Sequence, residues 1–115
     1  MAITSTLTTS FKKELLTATH NFATNGNAFK LALYTSSATL GAATTAFTTT
    51  GQASGTNYTS GGAALTNVTP SATGTTAVTD FSDLTFSTAT ITARGCMIYN
   101  DTNSDKSVAT IDFGG

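Results

Sequence analysis

Thr88-Ala-Thr-Ile-Thr-Ala-Arg-Gly-Cys-Met-Ile-Tyr99 and, beyond the polar tip Asn100–Asp105, Val108-Ala-Thr-Ile-Asp-Phe113 decide how this chain folds. In the first stretch Ala89, Ile91 and Ala93 alternate with Thr88, Thr90, Thr92 and Arg94. That period of two is the mark of a strand with one face toward a core and, here, an all-Thr face toward solvent. Gly95 interrupts the run as a bulge would, and Cys96–Tyr99 resumes it. Asn, Asp and Ser fill the tip because their short side chains bond nearby backbone in tight turns. Val108–Phe113 is then the return strand, with Ala109, Ile111 and Phe113 on one face. Two such strands around a polar turn predict an antiparallel hairpin and a mainly β chain.

Working outward, Thr76–Phe81 and Leu84–Phe86 read as short strands, with Asp80 and Asp83 in the turn between them. Ala63–Thr69 is another, stopped by Pro70 and Gly74. Phe29, Leu31 and Leu33 alternate with Lys30, Ala32 and Tyr34, the pattern of a half-buried strand. Between them, from Ser36 to Gly62, the apolar period disappears among Ser, Thr, Gly and Ala. Near the start, Ser10 is positioned to cap a helix over about Phe11–Phe22. Phe11, Leu15, Ala18 and Phe22 form its apolar stripe, and Lys12, Lys13, Glu14 and Thr17 its polar face. Asn25-Gly26-Asn27 would end it through a left-handed turn. The expected architecture is one domain over residues 1–115, an antiparallel, jelly-roll-like β-sandwich with one N-terminal α-helix. Ile111-Asp112-Phe113 is a strand in full stride two glycines before the last residue. The expectation is therefore a shortened C-terminus, or an edge covered by a neighbouring subunit.

Composition narrows the function. Threonine makes up roughly a quarter of the chain, and 5 Lys+Arg and 6 Asp+Glu are spread through its 115 residues. A surface of Thr, Ser, Ala and Gly can lie flush against another protein without desolvating ions, whereas soluble monomers usually carry a denser charge. The net charge of −1 supplies no basic field for nucleic acid. The lone Cys96 excludes an internal disulfide and suits a reducing compartment. Met1–Ser10 is polar rather than a secretory leader, and no apolar run approaches the ~20 residues of a membrane span. Folding in a cytoplasm is expected.

Candidate chemical residues are few. His20 is the only histidine, and triads or zinc sites need a nucleophile or further ligands beside one, so a structural role is expected. Cys96 has no basic neighbour in sequence and reads as a buried, inert thiol. Asp101-x-Asn103-x-Asp105, with Asp112 further on, resembles a calcium loop, but Lys106 and Asp112 occupy the positions that need Gly and Glu. Asp80 and Asp83 lack the cleft that paired catalytic carboxylates require. The sequons at Asn57, Asn67 and Asn100 are chance matches in a chain so rich in Thr. No catalytic residue, metal or cofactor is expected.

Four ordered words carry a resemblance: Leu31-Ala-Leu-Tyr-Thr-Ser-Ser-Ala-Thr-Leu-Gly-Ala-Ala-Thr-Thr-Ala-Phe47, Ser54-Gly-Thr-Asn-Tyr-Thr-Ser-Gly-Gly62, Thr88-Ala-Thr-Ile-Thr-Ala-Arg-Gly95 and Val108-Ala-Thr-Ile-Asp-Phe-Gly114. Together they resemble a family of small virion-associated structural proteins of tailed bacteriophages, over nearly the whole chain. The resemblance implies a virion component, with no catalytic residues to carry over and with relatives that continue past the Asp-Phe-Gly ending. It does not separate capsid from tail. The expected function is a non-enzymatic, multi-copy capsid decoration or cement protein. Its expected partners are the major capsid protein or other virion proteins and further copies of itself, not nucleic acid or membrane. The alternatives are a tail or fibre-attachment protein, a carbohydrate-binding adhesin using Phe47 and Tyr58, and, more distantly, a small hydrolase. The 36–62 segment is expected to be mobile in the isolated chain and ordered against neighbours, with Leu40, Phe47 and Tyr58 as anchors.

Overall fold

A computed structural model describes residues 2–114. Strands β2 (Phe29–Tyr34) and β8 (Gly95–Asn100) form its centre, paired antiparallel from Phe29 opposite Asn100 to Tyr34 opposite Gly95. Strand β9 (Lys106–Asp112) returns along β8, and the short strands β1 (Thr6–Leu7) and β4 (Ala63–Ala64) close the sides, giving the order β1-β9-β8-β2-β4. Two antiparallel ribbons complete the chain: β3 (Gly55–Thr56) with β7 (Thr90–Ile91), and β5 (Asn67–Thr73) with β6 (Thr76–Phe81). The fold is mainly β and antiparallel, with one N-terminal helix, α1 (Thr9–Leu16).

Both faces of the central strands are buried, so β2 is more than the half-buried strand its alternation suggested. On one face Phe29 meets Phe11 of α1 and the bulged Val108, with Phe22 and Phe81 against them; further along, Leu33 and Cys96 meet Ala53, with Tyr58, Phe86 and Ile91 outside. On the other, Ala32, Tyr34, Met97 and Tyr99 are covered by Ile3, Ala38, Leu40 and Phe47. A strand covered on both faces reads as a nearly continuous apolar run, and Leu31-Ala-Leu-Tyr34 is one.

The helix is shorter than its sequence pattern. Thr8, not Ser10, is the cap, its Oγ1 accepting from the Phe11 N–H at 3.3 Å. The chain leaves the helix at Thr17; Ala18 turns left-handed (φ 59°), and Thr19 N–H returns to the Glu14 carbonyl at 3.0 Å. This is a Schellman ending with alanine where glycine is usual. Phe22 therefore reaches the core from the following loop, and Gly26 is not left-handed. Of the expected stripe only Phe11 is buried from the helix; Leu15 is 45% exposed.

Four further expectations change. Pro70 does not stop a strand: it lies inside β5, at an irregularity between Val68 and Ser71, where a missing N–H is tolerated. Within the Thr88–Arg94 stretch only Thr90–Ile91 is strand, because Thr88 takes a positive φ (55°). Leu84–Phe86 is irregular. Gly95 is a regular member of β8, needed because an added Cβ would land on the Ile111 carbonyl oxygen. The true bulge is opposite Ile98 and Tyr99, where Val108 has no cross-strand partner and turns into the core. At the end of the chain, β1 pairs with β9 and Ser5 Oγ accepts from the Asp112 N–H at 2.8 Å, so the chain itself supplies cover for that edge.

Candidate functional site

His20 sits in a closed polar hub. Asn100 Oδ1 accepts from the Thr102 and Asn103 N–H groups, so its Nδ2 donates to His20 Nδ1 at 3.0 Å and to Asn27 Oδ1 at 3.0 Å. With Nδ1 accepting, the ring proton is on Nε2, which donates to Glu14 Oε1 at 2.8 Å. Asn103 Nδ2 reaches the Thr19 carbonyl at 2.6 Å. The ring lies between Phe11 and Phe29, with centroids at 4.9 and 6.3 Å. Among the described residues no buried side-chain polar atom lacks a hydrogen-bond partner, and the hub's product is mechanical: it ties the loop after α1 to the 100–105 turn. The hub's asparagines carry no period or spacing that a sequence reading could pick out.

Cys96 is 1% exposed, and burial pushes its thiol up to about 11, which leaves it a poor nucleophile at neutral pH. The calcium-like residues separate. Asp101 and Asp105 share the 100–105 turn, with Lys30 Nζ 3.9 Å from Asp101, while Asp112 lies at the far end of β9 in a two-pronged pair with Arg94 at 2.6 and 3.3 Å. Asp80 accepts from the Phe81 N–H at 2.7 Å, at the end of β6. Among the described residues no three His, Cys, Asp or Glu side chains gather as a metal site would need. Of the sequon asparagines, Asn100 is fully buried, and Asn57 and Asn67 hold backbone carbonyls of Thr88 and of Ala23 and Asn27.

The three expected anchors face inward. Leu40 is 3% exposed in the cluster around Tyr34 and Met97. Phe47 stacks on Tyr99 at 4.8 Å between centroids. Tyr58 OH accepts from the Leu33 N–H and donates to Gln52 Oε1, both at 2.9 Å. The 36–62 segment is pinned to the sheet by backbone bonds such as Thr4 N–H to Leu40 O, Phe47 N–H to Asp105 O and Ala53 N–H to Leu33 O. It is the covering layer of this chain's own sheet, so Leu40, Phe47 and Tyr58, expected as anchors for a partner, pack against the sheet itself.

What faces outward is different. Between α1 and the β5–β6 ribbon runs a groove of about 480 Å³ lined by Leu7, Phe11, Leu15, Phe22, Val78 and Phe81 among others, with no charged side chain. Leu7, Leu15 and Val78 of its lining are 45–48% exposed, and Leu16, next to Leu15 in α1, is 89% exposed. A shallower depression of about 610 Å³, lined by Thr4, Thr39, Thr44, Thr45 and Thr48 with small residues between, also lacks titratable groups. No family model, curated protein or solved structure matches the chain. The functional surface is thus read from these residues alone. The two depressions offer apolar and hydroxyl contacts. Leu16 and Val78 were legible as apolar residues, but their exposure follows from where α1 ends and how the ribbon leaves the sheet, neither of which a local pattern encodes.

Proposed function

We propose that this chain is a non-enzymatic, multi-copy structural subunit of a tailed-phage particle, in the role of a capsid decoration or cement protein. The observation that carries the reading is the combination of a β body in which, among the described residues, no buried polar side-chain atom lacks a partner, with an outer surface of Thr, Ala and exposed aliphatic side chains and little charge. Such a surface adheres by shape and apolar contact with little ion desolvation. Repetition over a lattice multiplies a modest contact into tight attachment. The resemblance of its ordered sequence words to small virion-associated structural proteins supports the same reading. The adhesin alternative loses its main support, since Phe47 and Tyr58 are engaged inside the fold. The test is reconstitution: purified chain added to coat shells that lack it should bind saturably, at a fixed ratio to the coat protein, and raise the shells' melting temperature. Shells that bind none and melt unchanged would rule the role out.

A further inference from the structure

We propose that the outer edge of β6 is a strand-addition site for the same edge of a second copy of this chain. The two edges of the β5–β6 ribbon differ. Along β5, Pro70 has no N–H to offer, Thr69 Oγ1 accepts from the Thr24 N–H at 3.2 Å, and Asn67 Nδ2 donates to the Ala23 and Asn27 carbonyls at 3.0 and 2.9 Å. That edge is blunted and partly covered. Along β6, Thr76–Thr79 carries no charge and no proline, and among the described residues no strand other than β5 pairs with it. Native proteins protect such edges by charge, proline or cover, and a two-stranded ribbon left alone in water is marginal.

The register dictates what the open edge presents. Around the two-residue turn Gly74-Thr75, Thr73 faces Thr76 and Ser71 faces Val78, and these pairs exchange the ribbon's own hydrogen bonds. The N–H and C=O groups of Ala77 and Thr79 therefore point outward. At the next outward position the Phe81 N–H is already taken by Asp80 Oδ1, which ends the edge. A two-fold axis at Val78 sets Ala77 opposite Thr79 of the second copy and Thr79 opposite its Ala77. Each of those pairs exchanges two hydrogen bonds, while the two valines, each 48% exposed in the free chain, meet as the closer, non-hydrogen-bonded pair. The same register sets Asp80 opposite Thr76, and keeps the two Asp80 carboxylates four residues, or roughly 13 Å, apart. No like charges oppose one another, which is the charge arrangement a self-pairing strand needs. The product is a four-stranded antiparallel sheet crossing two copies.

This pairing concerns the free chain and stands apart from the virion role. Sedimentation of the full chain from micromolar to millimolar concentration should show a monomer converting to a dimer. Thr79→Pro removes one outward N–H without touching the β5 side, so it should melt like the parent and dimerise at least about tenfold more weakly. Should that variant fail to fold, Val78→Asp serves instead: the exposed site accepts it in the monomer, and two carboxylates face each other in the dimer, with the same loss expected. A parent chain that stays monomeric at millimolar concentration overturns the proposal, even where the ribbon becomes protected on a coat shell, since the edge then serves another partner. So does a folded Thr79→Pro or Val78→Asp protein that dimerises like the parent.

Discussion

Ala18, Thr88, Ser104 and Asp105 hold left-handed backbone without glycine, and Ala18 does so at the Schellman ending of α1. Its methyl is strained there, so Ala18→Gly should stabilise the chain by about 0.5–1 kcal/mol, read as a melting temperature higher by about 2–5 °C. An unchanged or lower value would mean that the turn is not held at φ 59°. Asp105 is held above its ordinary 3.8 by partial burial and by the neighbouring Asp101. The fold thus prefers it protonated: as the pH rises through 3.8 the unfolded chain releases its proton first, and the parent loses stability until the raised folded value is passed. Asp105→Asn should therefore melt higher than the parent at pH 7, with the advantage fading as the pH falls below 3.8. Thermal melts of both proteins at pH 7 and pH 3 check the sign; an advantage that persists at low pH would trace to the turn geometry and not to the charge. The conformations of Ala18, Thr88 and Ser104 are not legible from residue type, because alanine, threonine and serine give no sign of positive φ.

At the scale of elements, apolar runs marked where β2, β8 and β9 lie, but not which side of β9 is covered. Ser107, Val108 and Thr110 are buried, while Ile111 and Phe113 of the expected apolar face are 37% and 55% exposed. Apolar periodicity overran the helix because Phe22 falls on the same stripe by spacing although the chain has already turned at Ala18. The consequence is measurable. Leu15→Asp should cost about 1 kcal/mol or less, as Leu15 is 45% exposed, whereas Phe11→Ala should cost about 3–4 kcal/mol by emptying a site that is 5% exposed. Comparable losses in the two would restore the longer helix. The 36–62 segment lacked any period because it covers the sheet through isolated side chains, Ala38, Leu40, Phe47, Ala53 and Tyr58, separated by hydroxyl-rich turns. Leu40→Ala and Phe47→Ala should each lower stability by about 2–3 kcal/mol in the free chain, measured by denaturant unfolding. Normal stability combined with lost attachment to particles would instead return these residues to the surface.

Across the whole molecule, the proposed assembly role rests on the balance of an interior with satisfied buried polar groups and an exterior sparse in charge. The composition made that exterior legible at once; its geometry was not, because the groove beside α1 and the open edge of β6 arise from pairs far apart in sequence. Both use Val78, on a ribbon that rises from the sheet with only its base partly buried. With Leu40, Phe47 and Tyr58 packed inward, the exposed aliphatic side chains lie on this side. Attachment variants should therefore concentrate in Leu15, Leu16 and Val78, each exposed enough to change with little loss of stability. The most direct measurement is an image of the source particle at a resolution that separates its coat subunits. Density matching this chain, repeated at equivalent positions over the coat lattice, is the result expected. A coat surface bare of it, with the chain absent from purified particles or confined to the tail, would contradict the decoration role.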